Sequence, residues 1–114
     1  MYTNDTVILV TRYGMGEGPG DLQLMLIGKY LQLLGQSEEI PAAMCFYNEG
    51  VKMVIVGSPV LEQLVALEKK GVRLVVCSTC LNYFGLADKA KVGIVGGMTD
   101  ILEAQLRAGK VITL

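Results

Sequence analysis

Val75-Val76-Cys77-Ser78-Thr79-Cys80-Leu81-Asn82-Tyr83-Phe84-Gly85 reads as a strand that runs straight into a short helix. The Val-rich run Val72–Val76 has the composition of a buried strand. Ser78 and Thr79 are both good helix N-caps, and Gly85 is a natural stop. Cys77 then closes the strand, and Cys80 falls in the first helical turn. Unpaired backbone N–H groups and the helix dipole favour an anion at that point, so a stabilised thiolate with a lowered pKa is expected there. Open α/β sheets also bind their ligands outside the carboxyl ends of the strands.

Working outward, the same alternation of strand and helix fills the chain. Thr6–Thr11 is a near-continuous apolar strand, as in the interior of a parallel sheet. The glycine-rich loop Tyr13–Gly20 follows, and Asp21 is placed to cap a helix running to about Leu34, with Gly35 at its end. A dinucleotide fingerprint fails on spacing, because the third glycine would stand at Pro19. The helix carries Leu22, Leu24, Met25, Leu26, Ile27, Tyr30, Leu31, Leu33 and Leu34 round most of its circumference. Such a helix is expected to be buried on two sides, one against the sheet and one against another subunit.

Pro41–Tyr47 reads as the second strand, with Cys45 an inert residue in its middle. Asn48-Glu49-Gly50 forms a loop at its carboxyl end. Val51–Val56 has strand-like composition, but a connection or helical turn suits the alternation better. Ser58-Pro59 signals a helix start, with the helix running to Lys69-Lys70 and Gly71 behind it. A short strand at Val92–Gly96, a helix from Ile101 to Ala108 capped by Thr99 or Asp100, and a last strand Lys110–Leu114 complete the chain. The pattern predicts an α/β fold: a three-layer α/β/α sandwich on a mostly parallel sheet of about five strands, in one domain over residues 1–114.

Composition narrows the function. Charged residues make up 18% of the chain, below the roughly 25% of an ordinary domain. That is too few to cover a monomer comfortably, so a homo-oligomer is expected. Charges or Gly/Pro interrupt each apolar run short of a membrane span. The N-terminus Met1-Tyr2-Thr3-Asn4-Asp5 has no signal-like character, which points to the cytoplasm. Net charge is −1 and no basic cluster exceeds Lys69-Lys70, which argues against nucleic acid. His is absent, removing Ser-His and Cys-His catalysis and most metal sites. Three cysteines without an export signal fit free thiols rather than a disulfide scaffold. One Cys-x-x-Cys pair with a distant Cys45 cannot fill a zinc site within one chain, so no metal and no cofactor are expected. A thioredoxin-like dithiol, a persulfide carrier and a purely structural pair stay open on the residues alone.

The pattern Val-Cys-x-Thr-Cys-Leu-Asn-Tyr-Phe-Gly-Leu from Val76, the upstream Phe46–Lys52, and the ending Met98–Ile101 with Gly109–Ile112 resemble the DsrE-like domain. More narrowly, they resemble the YedF-type sulfurtransferase-like proteins associated with selenium metabolism. The resemblance spans nearly the whole chain. It implies a DsrEF-like fold, frequent oligomerisation and a place in sulfur relay, with Cys77 matching the acceptor cysteine of the wider family by its spacing to Gly85. Cys80 belongs to the narrower group and is placed to resolve a persulfide as a disulfide. Relatives of that group often carry a TusA-like domain ahead of this one; these 114 residues hold none, so the chain is read as a stand-alone version or a piece of a longer protein.

The expected function is thus a small sulfur-relay protein that accepts sulfane sulfur, or selenium, as a persulfide on the CxxC motif and passes it on. Cys77 and Cys80 carry the chemistry; Gly16, Asn48, Glu49, Gly50, Ser78 and Thr79 line the site. The partners are sulfur donor and acceptor proteins, TusA-like ones among them. The alternatives are a non-catalytic scaffold subunit of a sulfur-relay oligomer and a dithiol oxidoreductase.

Overall fold

The structure, a computed structural model, describes residues 2–114. Strand β1 (Tyr2–Thr3) leads into β2 (Thr6–Val10), and helix α1 (Gly20–Gln36) follows the glycine-rich loop. Next come β3 (Glu39–Ile40), β4 (Ala43–Phe46), a 3₁₀ turn (Asn48–Met53) and α2 (Leu61–Lys69). The chain closes with β5 (Arg73–Cys77), α3 (Ser78–Tyr83), β6 (Ile94–Gly96), α4 (Met98–Arg107) and β7 (Lys110–Thr113). Five strands form one all-parallel sheet in the order β6-β5-β4-β2-β7, while β1 and β3 pair separately.

The order follows from handedness. Successive crossovers from β2 to β4 to β5 move one way across the sheet, so right-handed connections put α1 and α2 on the same face, where they pack together. The return from β6 to β7 moves the opposite way and lays α4 on the other face. Strands covered on both faces need no polar side. All four residues Val7–Val10 and all four of Ala43–Phe46 are buried accordingly.

Several boundaries differ from the sequence reading. α1 starts after Pro19 rather than at Asp21 and runs through Gly35 to Gln36. α2 starts at Leu61, not beside Ser58-Pro59, because the Ser58 hydroxyl accepts the Val60 N–H in a turn of its own. The second strand is shorter than Pro41–Tyr47, since Glu39–Ile40 pairs with β1. β6 starts only at Ile94, because Gly93 sits at φ +88°, which no strand residue adopts. α4 starts at Met98 after Gly97, whose N–H donates to the Asp100 carboxylate at 2.9 Å. Val51–Val56 is a connection: Val51, Met53 and Val54 are buried in a tight turn, and Ile55 makes one bridge to Ala90.

Of the two faces of helix α1 expected to be covered, the inner one is buried, and the one expected against another subunit is open in the single chain. Ile27 and Leu31 are sealed against the sheet, but Leu22, Leu26, Met25 (59% exposed) and Leu33 (66%) face outward in the single chain. Helix α4 repeats the asymmetry, with Ile101 buried and Leu106 77% exposed.

Candidate functional site

The parallel register brings the carboxyl ends of β2, β4 and β5 to one edge: Val10 pairs with Phe46, and Phe46 with Val76. After β4 the chain stays extended at Tyr47, whose N–H donates to the Val10 carbonyl at 3.1 Å. It then reverses at Asn48, the one non-glycine residue with positive φ (+54°) among those described. Asn tolerates the left-handed region better than most L-residues. Two residues on, Gly50 lies against the end of β2. A Cβ there would come within 1.9 Å of the Val10 carbonyl oxygen, so any other residue must displace backbone. This close seat aims the Asn48 N–H at Cys80, donating to its Sγ at 3.1 Å.

β5 ends in Cys77, and Cys77 itself is the N-cap of α3 (φ −70°, ψ 116°). Ser78 and Thr79, expected as caps, are instead the first two helical residues, and no side chain caps this helix. The helix stops short of Gly85 (φ +70°), the expected terminator, with the Leu86 N–H returning to the Leu81 carbonyl at 2.8 Å. Cys80 is thereby turned towards the Asn48 amide and back over Cys77. The two thiols differ in access: Cys77 is 0% exposed and Cys80 half-buried.

The expected low pKa is not found at Cys80. Burial pushes its thiol up, the Asn48 N–H opposes that, and the adjacent Cys77 thiol adds to the rise. A helix of six residues supplies too little dipole to overturn desolvation. Among the described residues no cation is found to offset the rise; the Lys52 ammonium pairs with Glu49 at 2.6 Å and sits 4.5 Å from the centre of the Phe84 ring. Those contacts bind the 3₁₀ turn to α3 a second time. Beside them Tyr83, edge-on to Phe84 at 5.2 Å, stands 83% exposed.

Of the residues read from the sequence, Cys77, Ser78, Thr79 and Cys80 are contiguous, and Asn48, Glu49 and Gly50 form the turn that meets them. Gly16 lies in the loop after β2 and is tied elsewhere: its carbonyl accepts from Arg12 Nη1 at 2.9 Å, and Arg12 pairs with Glu17 at 3.6 Å. Sequence reasoning missed Arg12, Lys52 and Phe84. Arg12 had a legible signal, a lone cation just past an apolar strand. The Lys52–Phe84 contact had none, because it joins residues far apart in the chain. A cavity of about 200 Å³ opens among Asp5, Val7, Ala43, Arg73 and Ala104, and its walls include no cysteine. Among the described residues no group of three or more His, Cys, Asp or Glu side chains gathers as metal ligands would. No described helix is long and apolar enough to cross a membrane.

Comparison with known proteins adds a family. The model of the DsrE/DsrF-like family matches residues 17–114. Among solved structures, the chain resembles the YchN protein of E. coli with a TM-score of 0.68 at 17% identity, over 96% of this chain and 97% of that one. It resembles MTH1491 of Methanobacterium thermoautotrophicum, a protein of unknown function, with a TM-score of 0.68 at 21% identity over 100% of both chains. BT1422 of Bacteroides thetaiotaomicron, also of unknown function, gives 0.61 at 20% identity over 96% and 93%. These likenesses establish the shared fold. No curated protein sequence matches the chain.

Proposed function

The chain belongs to the DsrE/DsrF-like family, and from that premise we propose that it works in sulfur relay, carrying sulfane sulfur as a persulfide on the Cys77–Cys80 pair. One observation carries the reading: two thiols meet at the carboxyl edge of the sheet, with a backbone N–H donated to the sulfur of the accessible one. A cysteine thiolate attacks the outer sulfur of a donor's persulfide, and the donor leaves as its thiolate. The acceptor's thiolate then attacks the same outer sulfur and the cysteine leaves in turn. The exchange is redox-neutral and asks for no metal or cofactor. Asn48, Glu49, Gly50, Ser78 and Thr79 frame the pair on this reading, while the loop of Gly16 is held by Arg12 instead. The open setting suits donor and acceptor proteins, TusA-like carriers among them, in the cytoplasm. Selenium can follow the same route by the same chemistry.

The experiment is mass spectrometry of the reduced protein after exposure to inorganic polysulfide, with a Cys77→Ala/Cys80→Ala double variant alongside. The added mass of a sulfur atom on the Cys77–Cys80 peptide, absent from the double variant, is the expected result. A Cys77–Cys80 disulfide that forms with no sulfur-loaded peptide before it, and with no sulfur taken up by Cys77→Ala or Cys80→Ala, points to a dithiol oxidoreductase instead. Unmodified thiols in folded protein leave a scaffold subunit, the reading favoured by the uncovered apolar residues Met25 and Leu33 on α1 and Leu102 and Leu106 on α4. In that case polar substitutions on these helices, not at the cysteines, abolish assembly and function together.

A further inference from the structure

Resting on the sulfur-carrier reading, and reversing the roles that the family resemblance implies for the two cysteines, we propose that the two thiols divide the work: Cys80 takes up the sulfur, and the buried Cys77 discharges it as hydrosulfide when no acceptor thiol is docked. The division follows from access. A donor persulfide must bring its outer sulfur into line with the attacking Sγ, and Cys77, 0% exposed beneath the start of α3, offers no approach. Cys80 is reachable from solvent, and its Sγ already accepts the Asn48 N–H at 3.1 Å. That hydrogen bond is worth more once the sulfur bears charge, so it favours Cys80 both as attacking thiolate and as leaving group. The left-handed backbone at Asn48 and the tight seat of Gly50 on the Val10 carbonyl hold the donor in place before any sulfur arrives.

Burial gives Cys77 a different role. Closed to outside reagents, its thiol still interacts with Cys80 directly. Positions three apart at a helix start lie within disulfide reach. With Cys80 loaded, the Cys77 thiolate attacks the inner sulfur, Cys80 Sγ. The Cys77–Cys80 bond forms as the bond from Cys80 Sγ to the outer sulfur breaks, and that sulfur departs with the electron pair as hydrosulfide. The pair is thereby oxidised by two electrons and the sulfane sulfur reduced to sulfide. A small-molecule thiol or dithiol then reduces the disulfide and resets the site. An acceptor thiolate that attacks the outer sulfur first bypasses this step. The protein thus has a second activity beside transfer, thiol-dependent release of hydrosulfide. The intramolecular attack needs no docking and takes advantage of a fixed neighbour.

The test loads wild type, Cys77→Ala and Cys80→Ala with inorganic polysulfide, removes the excess, and follows peptide masses and released hydrosulfide. Circular dichroism checks that each variant is folded. Wild type is expected to release hydrosulfide and end as the Cys77–Cys80 disulfide. Cys77→Ala is expected to trap the sulfur on Cys80, with hydrosulfide release slowed at least about tenfold. Cys80→Ala is expected to take up no sulfur. Loading of Cys77 in folded Cys80→Ala at the wild-type rate overturns the division of labour but leaves the carrier reading standing. Undiminished release from Cys77→Ala overturns the discharge step. Failure of wild type itself to take up sulfur overturns the carrier reading and this inference with it.

Discussion

Cys45 and Cys77 lie on neighbouring strands, both shut off from solvent, and strand alternation puts both on the face shared with Val75, which pairs with Cys45. They differ in what comes next along the chain. Cys45 stands mid-strand between β2 and β5, opposite Leu9 on one side and Val75 on the other. Burial drives its pKa to about 11, only partly offset by the charge of Arg73. Cys77 is the last residue of its strand; beyond it the backbone turns into a helix that returns a second thiol and meets the Asn48 amide. The strand end, rather than burial, separates the packing cysteine from the one to which we assign chemistry.

The contrast breaks most severely at Gly50. Its Cβ would collide with the Val10 carbonyl, so Gly50→Ala should cost about 3 kcal/mol in urea unfolding. It should also shift the pH profile of Cys80 alkylation as the Asn48 amide moves. A Gly50→Ala protein with unchanged stability and profile would show that this seat does not hold the site.

Alkaline titration sharpens the same contrast from the Cys45 side. Its pKa is raised on folding from 9.0 to about 11, so the folded chain holds the proton more tightly than the unfolded one. That stability is whole below pH 9.0 and is lost as pH rises through about 11. The loss should be on the order of 2 kcal/mol, and Cys45→Ala should lack this component of the slope while keeping sulfur uptake. Equal slopes in the two proteins would contradict it.

A smaller effect is expected at Asn48. A β-branched side chain is poorly tolerated at φ +54°, so Asn48→Val should cost about 1–2 kcal/mol. Because the Asn48 N–H lowers the Cys80 pKa, disturbing it should move Cys80 alkylation to higher pH. Smallest of all, Tyr83→Ala removes an exposed ring set edge-on to Phe84 and should change stability by no more than about 0.5 kcal/mol.

Much of this was legible along the chain. The run Thr6–Val10 and the step from Val76 into Cys77 carry their meaning in nearest neighbours, because a strand buried on both faces must be apolar throughout. Gly85 stops α3 where its residue type says it should. The pairing of Asn48 with Cys80 was not legible, since it joins residues 32 apart through a turn that exists only because β2 and β4 lie side by side. The cap of α3 was misread for a related reason: Ser78 and Thr79 are good caps in isolation, but the chain turns helical directly after Cys77, the last β5 residue paired with β6, so the cap falls one residue earlier.

The sequence by itself determined the alternation of strands and helices, the parallel sheet and the placing of a CxxC motif at a strand's carboxyl end, because these rest on local periodicity and residue type. Only the tertiary structure decided that Cys77 is sealed while Cys80 is reachable, that a backbone amide from another loop meets the second sulfur, and that Cys80 is not the acidic thiol its helix position suggested. Access and desolvation depend on what packs from elsewhere in the chain, and neither is a property of the segment that carries the thiols.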